Sequence, residues 1–200
     1  MSPRSYRMGQ RQAEVDETRA RIVAAARAQL TAGGALSLDA VARRADVARA
    51  TVYYQFGNRT GLLEAVCDAL AAEGGMARLA GAFGQDDPWA AVDGFVEVMA
   101  GFWSVDPDCT RRLRALGALD EEVGRVISER DARRRHGAEV LTSRLPKAPE
   151  DAAALLYVLT SFETFDALAA EGEEEGGRSL EAAAPAVSRL ARAALGALAH

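Results

Sequence analysis

The chain is poor in the side chains that build most catalytic and metal centres, with two histidines, two cysteines and, beside 23 arginines, the single lysine Lys147. His136 and the terminal His200 are its only imidazoles, which argues against a histidine-based metal or catalytic site. Cys67 and Cys109 have neither metal-ligand nor redox spacing, and so sparse a pair suits a reducing compartment. No apolar run approaches the roughly 18 residues that cross a bilayer. The opening MSPRSYRMGQRQ lacks the apolar core of a signal peptide, so the expectation is a cytoplasmic protein without a membrane partner. No nucleophile, base and orienting group stand in a recognisable local arrangement, and there is no phosphate loop. The expectation is a protein that is not an enzyme, with no catalytic residues, no metal and no cofactor. The preference for arginine over lysine, together with abundant alanine and glycine, reads as the coding bias of a GC-rich genome and carries no chemistry.

What is present is a 200-residue chain with 49% hydrophobic and 26% charged residues, enough for one or two domains with a substantial core. Charge is divided unevenly. Residues 1–63 carry a balance of +5 and residues 64–200 a balance of −10, which gives the net −5. A basic front end on an acidic body concentrates attraction for phosphate at one place, which a randomly solvated surface would not do.

That basic front end contains the most informative stretch, Leu36 to Leu63, LSLDAVARRADVARATVYYQFGNRTGLL. Leu38, Val41, Ala42 and Ala45 mark one face of a short helix, and Ser37 precedes them as a cap. After a break at Asp46 a second helix opens near Arg49, with Val52 and Phe56 as its inward anchors. On a helical wheel Ala50 and Tyr54 fall nearly opposite Val52, with Thr51 and Tyr53 on the flanks. The spacing predicts a helix-turn-helix, and therefore double-stranded DNA as a partner.

The segment Gly33 to Leu63 resembles the DNA-binding signature of the TetR family of transcriptional regulators. Thr51-Val52-Tyr53, then Phe56, Arg59 and the Leu62-Leu63 pair carry the resemblance, supported upstream by Thr18, Arg19, Ile22, Ala25, Ala26 and the Gly33-Gly34 stop. Two positions depart from the family pattern, Asp46 where glycine is usual in the turn and Ala48 where serine usually caps the second helix. Asp tolerates the left-handed conformation better than most residues. Loss of a Ser cap costs about 0.5 to 2 kcal/mol of helix stability. From chemistry and matching positions, Arg49, Ala50 and Tyr54 are expected at base edges, and Ser37, Thr51, Tyr53 and Arg59 at phosphates.

The remaining pattern is helical. Residues 1–14, with Arg4, Arg7 and Arg11, read as a flexible basic arm, residues 15–62 as a three-helix DNA-binding domain, and residues 63–200 as a helical bundle. The predicted helices run at 16–31, in the two segments above, from Asn58-capped Arg59 to Gly74-Gly75, and at 88–104, 108–116, 119–144, 150–170 and 180–198. An acidic glycine-containing loop, 171–177, separates helices 8 and 9 of this count. Arg130, Arg133, Arg134 and Arg135 alternate with Glu129, Asp131 and Glu139, which reads as a solvated mixed-sign face.

The fold class expected is all-α, an N-terminal three-helix domain with a helix-turn-helix followed by a C-terminal ligand-binding and dimerisation bundle. The aromatic and aliphatic stripes of helices 5 and 8 fit ordinary core packing; the resemblance implies a cavity enclosed by helices 5 to 8. Candidate lining residues are Met99, Phe102, Trp103, Cys109, Leu113, Leu116, Phe162 and Phe165, for an unidentified small-molecule ligand. Small residues in helices 8 and 9 suit close packing of two copies, and the resemblance implies a homodimer through that pair, with a palindromic operator and the role of a repressor. The alternative is a helical sensor protein that binds ligand but no DNA.

Overall fold

Pro3 starts the first helix of the computed structural model, α1 (Pro3–Thr31), well before the start expected from periodicity. The structure describes residues 3–34, 36–170 and 179–196. The side chains of Arg4 and Arg7, the acidic segment 171–177 and the end of the last predicted helix at Leu198 lie outside the described residues. Helix propensity accounts for the longer α1: proline suits a first turn, and Arg, Met, Gln, Ala and Glu extend a helix without an apolar stripe to mark it. Ten further α-helices follow among the described residues, with no strand. They are α2 (Leu38–Arg44), α3 (Arg49–Phe56), α4 (Arg59–Glu73), α5 (Leu79–Phe83), α6 (Pro88–Ser104), α7 (Pro107–Gly117), α8 (Glu121–Thr142), α9 (Ala152–Leu159), α10 (Phe162–Ala170) and α11 (Ala184–Ala194). Short 3-10 turns at Met76–Arg78 and Leu180–Ala183 precede α5 and α11. No single helix among the described residues is long and apolar enough to cross a membrane.

The chain forms two compact units, Met1–Ala69 with Arg111–Val126, and Leu70–Thr110 with Ile127–His200. Segment 111–126, expected in the C-terminal bundle, thus belongs with the N-terminal helices. In this first unit α1 packs on α2 and α2 on α3. Ile22, Leu30, Val41, Val52, Leu62 and Val66 are all at most 1% exposed and form its apolar interior. Arg19 of α1 ties down the end of α3: its guanidinium lies 4.4 Å from the centre of the Phe56 ring and donates to the Gln55 carbonyl at 3.0 Å. A cation at a helix C-terminus also meets the negative end of the helix dipole.

In the second unit α6 is the central helix. Phe95, Met99 and Trp103 meet Leu141 of α8, Leu156 of α9, Phe162 and Phe165 of α10, and Val187 of α11 in one continuous core. Gly74 is required in that unit, because a Cβ there would lie 2.5 Å from the Phe102 Cα. Asp93 of α6 pairs with Arg192 of α11, the guanidinium Nε standing 3.2 Å from Oδ2.

The helix expected over 150–170 is two helices bent by 51° at Thr160-Ser161. The bend frees carbonyls, and side chains from other helices take them. Trp103 Nε1 donates to the Thr160 carbonyl at 3.1 Å, and Arg134 donates to the Tyr157 carbonyl and to Thr160 Oγ1. Arg134 is therefore buried in the unit and is not part of the solvated face expected from its charged neighbours. Between α8 and α9, exposed Lys147 turns the chain with φ of 58°.

Candidate nucleic-acid interface

The site is assembled by local devices of capping and turning. Ser37, in extended backbone, accepts the Ala40 N–H on its hydroxyl at 3.1 Å and so starts α2. Asp46 adopts the left-handed conformation with φ of 52°, as the turn between α2 and α3 requires. Ala48 stands at the N-cap of α3 without a side-chain bond. Gly57, with φ of 74°, ends α3, and Asn58 Oδ1 accepts the Gly61 N–H at 2.9 Å to open α4. The second helix of the motif is thus bounded at both ends by turns set within a few positions of it, its first turn left without a side-chain cap.

Its two faces are sharply different. Val52 is fully buried and Phe56 only 8% exposed, whereas Tyr53 is 64% and Tyr54 85% exposed. Arg49 and Ala50 are also exposed, and Thr51 is half-buried beside them. Phenols at such exposure contribute little to the packing of the fold. Arg49 Nε lies 3.2 Å from Asp39 Oδ1 in an exposed ion pair that the sequence pattern does not announce. Arg43 and Arg44, exposed in the last turn of α2, stand outside the expected set of DNA-binding residues, although the basic balance of residues 1–63 contains them.

Arg59 is placed differently from the residues of α3. Its Nε donates to the Leu36 carbonyl at 3.1 Å, one terminal nitrogen to Glu122 Oε2 at 3.0 Å and the other to Asp120 Oδ2 at 2.7 Å. The Asp120 hydrogen bond is the main reason that the guanidinium's pKa is pushed up, and it reciprocally holds the Asp120 carboxyl below its ordinary value. Asp120 and Glu122 do not stand out in the sequence; they lie on another segment, and no local pattern joins them to Arg59.

The eight residues expected around a ligand are divided between the two units. Met99, Trp103, Phe162 and Phe165 belong to the core of the second unit, where the Trp103 and Phe162 rings meet edge to face at 5.7 Å. Phe102 is half-buried against that core, and Cys109 is fully buried in the same unit. Leu113 and Leu116 belong to the first unit.

A recognition helix with a buried apolar edge and an exposed aromatic, basic edge, carried by a three-helix head in an all-α chain, defines a helix-turn-helix DNA-binding protein. Residues 22–66 match the model for bacterial regulatory proteins of the tetR family. The N-terminal helices thus carry a DNA-binding domain of the tetR type, in agreement with the resemblance carried by Thr51 to Leu63. Its fold is similar to that of a TetR-like transcriptional regulator from Rhodococcus sp. RHA1, at 23% identity and a TM-score of 0.64, covering 88% of this chain and 94% of that one. It is similar also to a protein described as a TetR-family transcriptional regulator from Mesorhizobium loti MAFF303099, at 16% identity and a TM-score of 0.55, covering 90% and 96%. No curated protein matches the sequence significantly.

Proposed function

We propose that the protein is a homodimeric repressor that reads a palindromic operator and leaves it when a small apolar or amphipathic molecule binds the second unit, acting by binding and not by turnover. The observation that carries this reading is the exposure of Tyr53 and Tyr54 on a helix whose opposite edge is buried. Tyr54, Ala50 and Arg49 are assigned to base edges, and Ser37, Thr51 and Tyr53 to phosphates, because residues on the outward ridge reach the groove floor while flanking ones meet its walls.

A second copy of the chain is the partner that suits α9 and α11. These helices pack on each other and leave Val158 57% and Leu190 46% exposed, beside exposed Ala154 and Ala193. Small residues around large apolar ones allow close approach of a twofold-related pair. Such a dimer presents its two recognition helices to half-sites about 34 Å apart, and a ligand that alters their separation releases the DNA. Met99, Phe102, Trp103, Cys109, Phe162 and Phe165 are the residues assigned to ligand binding.

Fluorescence anisotropy on DNA from upstream of the protein's own coding region, against a shuffled duplex and across a salt series, tests the reading. Salt-sensitive binding that prefers the upstream duplex is expected. Binding of small molecules without affinity for any DNA, in that assay and in selection of bound genomic fragments, would favour the sensor alternative.

A further inference from the structure

Arg59 occupies a position expected to hold a phosphate, yet all three guanidinium nitrogens have partners within the first unit. Those partners come from two other places in the chain. Leu36 immediately precedes Ser37, the cap of α2, and Asp120 and Glu122 bracket the start of α8. Asp120 is itself a capping residue, its Oδ1 accepting the Glu122 and Val123 N–H groups at 3.1 and 3.2 Å. The neighbouring Thr60 hydroxyl donates to Glu122 Oε1, so two successive residues of α4 engage the same carboxylate. The side chains of Arg59, Asp120 and Glu122 are 30 to 35% exposed, sheltered enough for charge-assisted bonds to hold a geometry.

Charge makes the arrangement informative. One guanidinium with two carboxylates is a net negative cluster, which repels the phosphates that Arg59 was expected to attract. A DNA-binding head that keeps two carboxylates here gains something from them other than attraction to DNA. The geometry shows what: Arg59 joins the lead-in to α2, the first turn of α4 and the first turn of α8, and so frames both ends of the α2-turn-α3 motif.

We propose that Arg59, Asp120 and Glu122 form a latch that positions the helix-turn-helix for DNA, so that Arg59 supports DNA binding without touching DNA. The proposal rests on the DNA-binding reading above for its effect on affinity, but not for its effect on the head.

The test is a double-mutant cycle with Arg59→Ala and the paired change Asp120→Asn, Glu122→Gln, in the full-length protein. Asn retains the capping ability of Asp120, so α8 keeps its start. Two readouts are taken: amide hydrogen exchange in α2 and the first turn of α4, and DNA affinity over a salt series.

The latch requires faster exchange in both variants and little further change when they are combined. It also requires that neutralising the two acids weaken DNA binding, by roughly three- to tenfold, with the salt slope unchanged. A phosphate role for Arg59 gives the opposite pattern. Neutralising the acids then leaves binding unchanged or tighter, while Arg59→Ala weakens it and makes the salt slope shallower by about one. That pattern, or unchanged exchange in both variants, overturns the latch. Faster exchange in a protein that binds no DNA overturns the functional reading and leaves the latch standing as a feature of the fold.

Discussion

Tyr54, 85% exposed, contributes almost nothing to packing, so Tyr54→Ala should leave stability within about 0.5 kcal/mol of wild type while changing which duplex is preferred. Competition with a panel of single-base operator variants and a parallel denaturation curve measure both effects. Ala48 offers the reverse experiment. Its uncapped helix start predicts that Ala48→Ser raises the stability of the head by about 0.5 to 2 kcal/mol, read from the denaturant midpoint. Asp120 sets a third expectation, in pH. Its folded-state carboxyl lies below the ordinary value of about 3.9, so its pairing with Arg59 stabilises the fold above that value and is lost as pH falls through the depressed one. Asp120→Asn should therefore be less stable than wild type at neutral pH, and the two should converge in strong acid. Urea unfolding at stepped pH follows the convergence. Residues that act over two or three positions, such as Ser37, Asp46 and Asn58, were legible in the sequence because their chemistry is local. Arg59 was not, since its donors are claimed by carboxylates that the chain brings back from beyond α7.

At the scale of elements, the helix-turn-helix was readable because its apolar periodicity and its caps agree. The segment 150–170 was not, because neither Thr160 nor Ser161 breaks a helix by propensity as glycine or proline does. The bend between α9 and α10 is instead underwritten by tertiary partners, Trp103 and Arg134, that no periodicity reveals. Trp103→Phe keeps most of the ring and removes the donor to the Thr160 carbonyl. It should cost about 1 to 3 kcal/mol, the penalty for stranding a buried polar group, measured by chemical denaturation. The short helix α5 and the turn before it went unread for another reason: five residues show too little periodicity to separate a helix from a loop. At the other extreme, the early start of α1 was obscured by polar residues that form helix readily without displaying an amphipathic face.

For the whole molecule, the apolar exposure on α9 and α11 carries the expectation about assembly. Leu190→Glu places a charge where a second copy is proposed to pack. It should shift the protein toward monomer in sedimentation velocity and reduce affinity for a two-half-site duplex more than for a single half-site. The division of charge into a basic front and an acidic remainder was visible in the sequence, and so was the all-α character. The grouping of residues 111–126 with the first unit was hidden, because it depends on pairings such as Arg59 with Asp120 that join distant stretches of chain.

Lys147 gives the molecule an unusual practical property. It is the chain's single lysine, exposed at the turn between α8 and α9 and remote in sequence from every residue assigned to DNA. Besides the terminal amine, it is the only target for acylating dyes. An amine-reactive fluorophore therefore has one side-chain address, on the second unit, and leaves every arginine of the basic front end unmodified. A donor on one copy and an acceptor on another would report assembly as energy transfer, with no residue of the chain replaced.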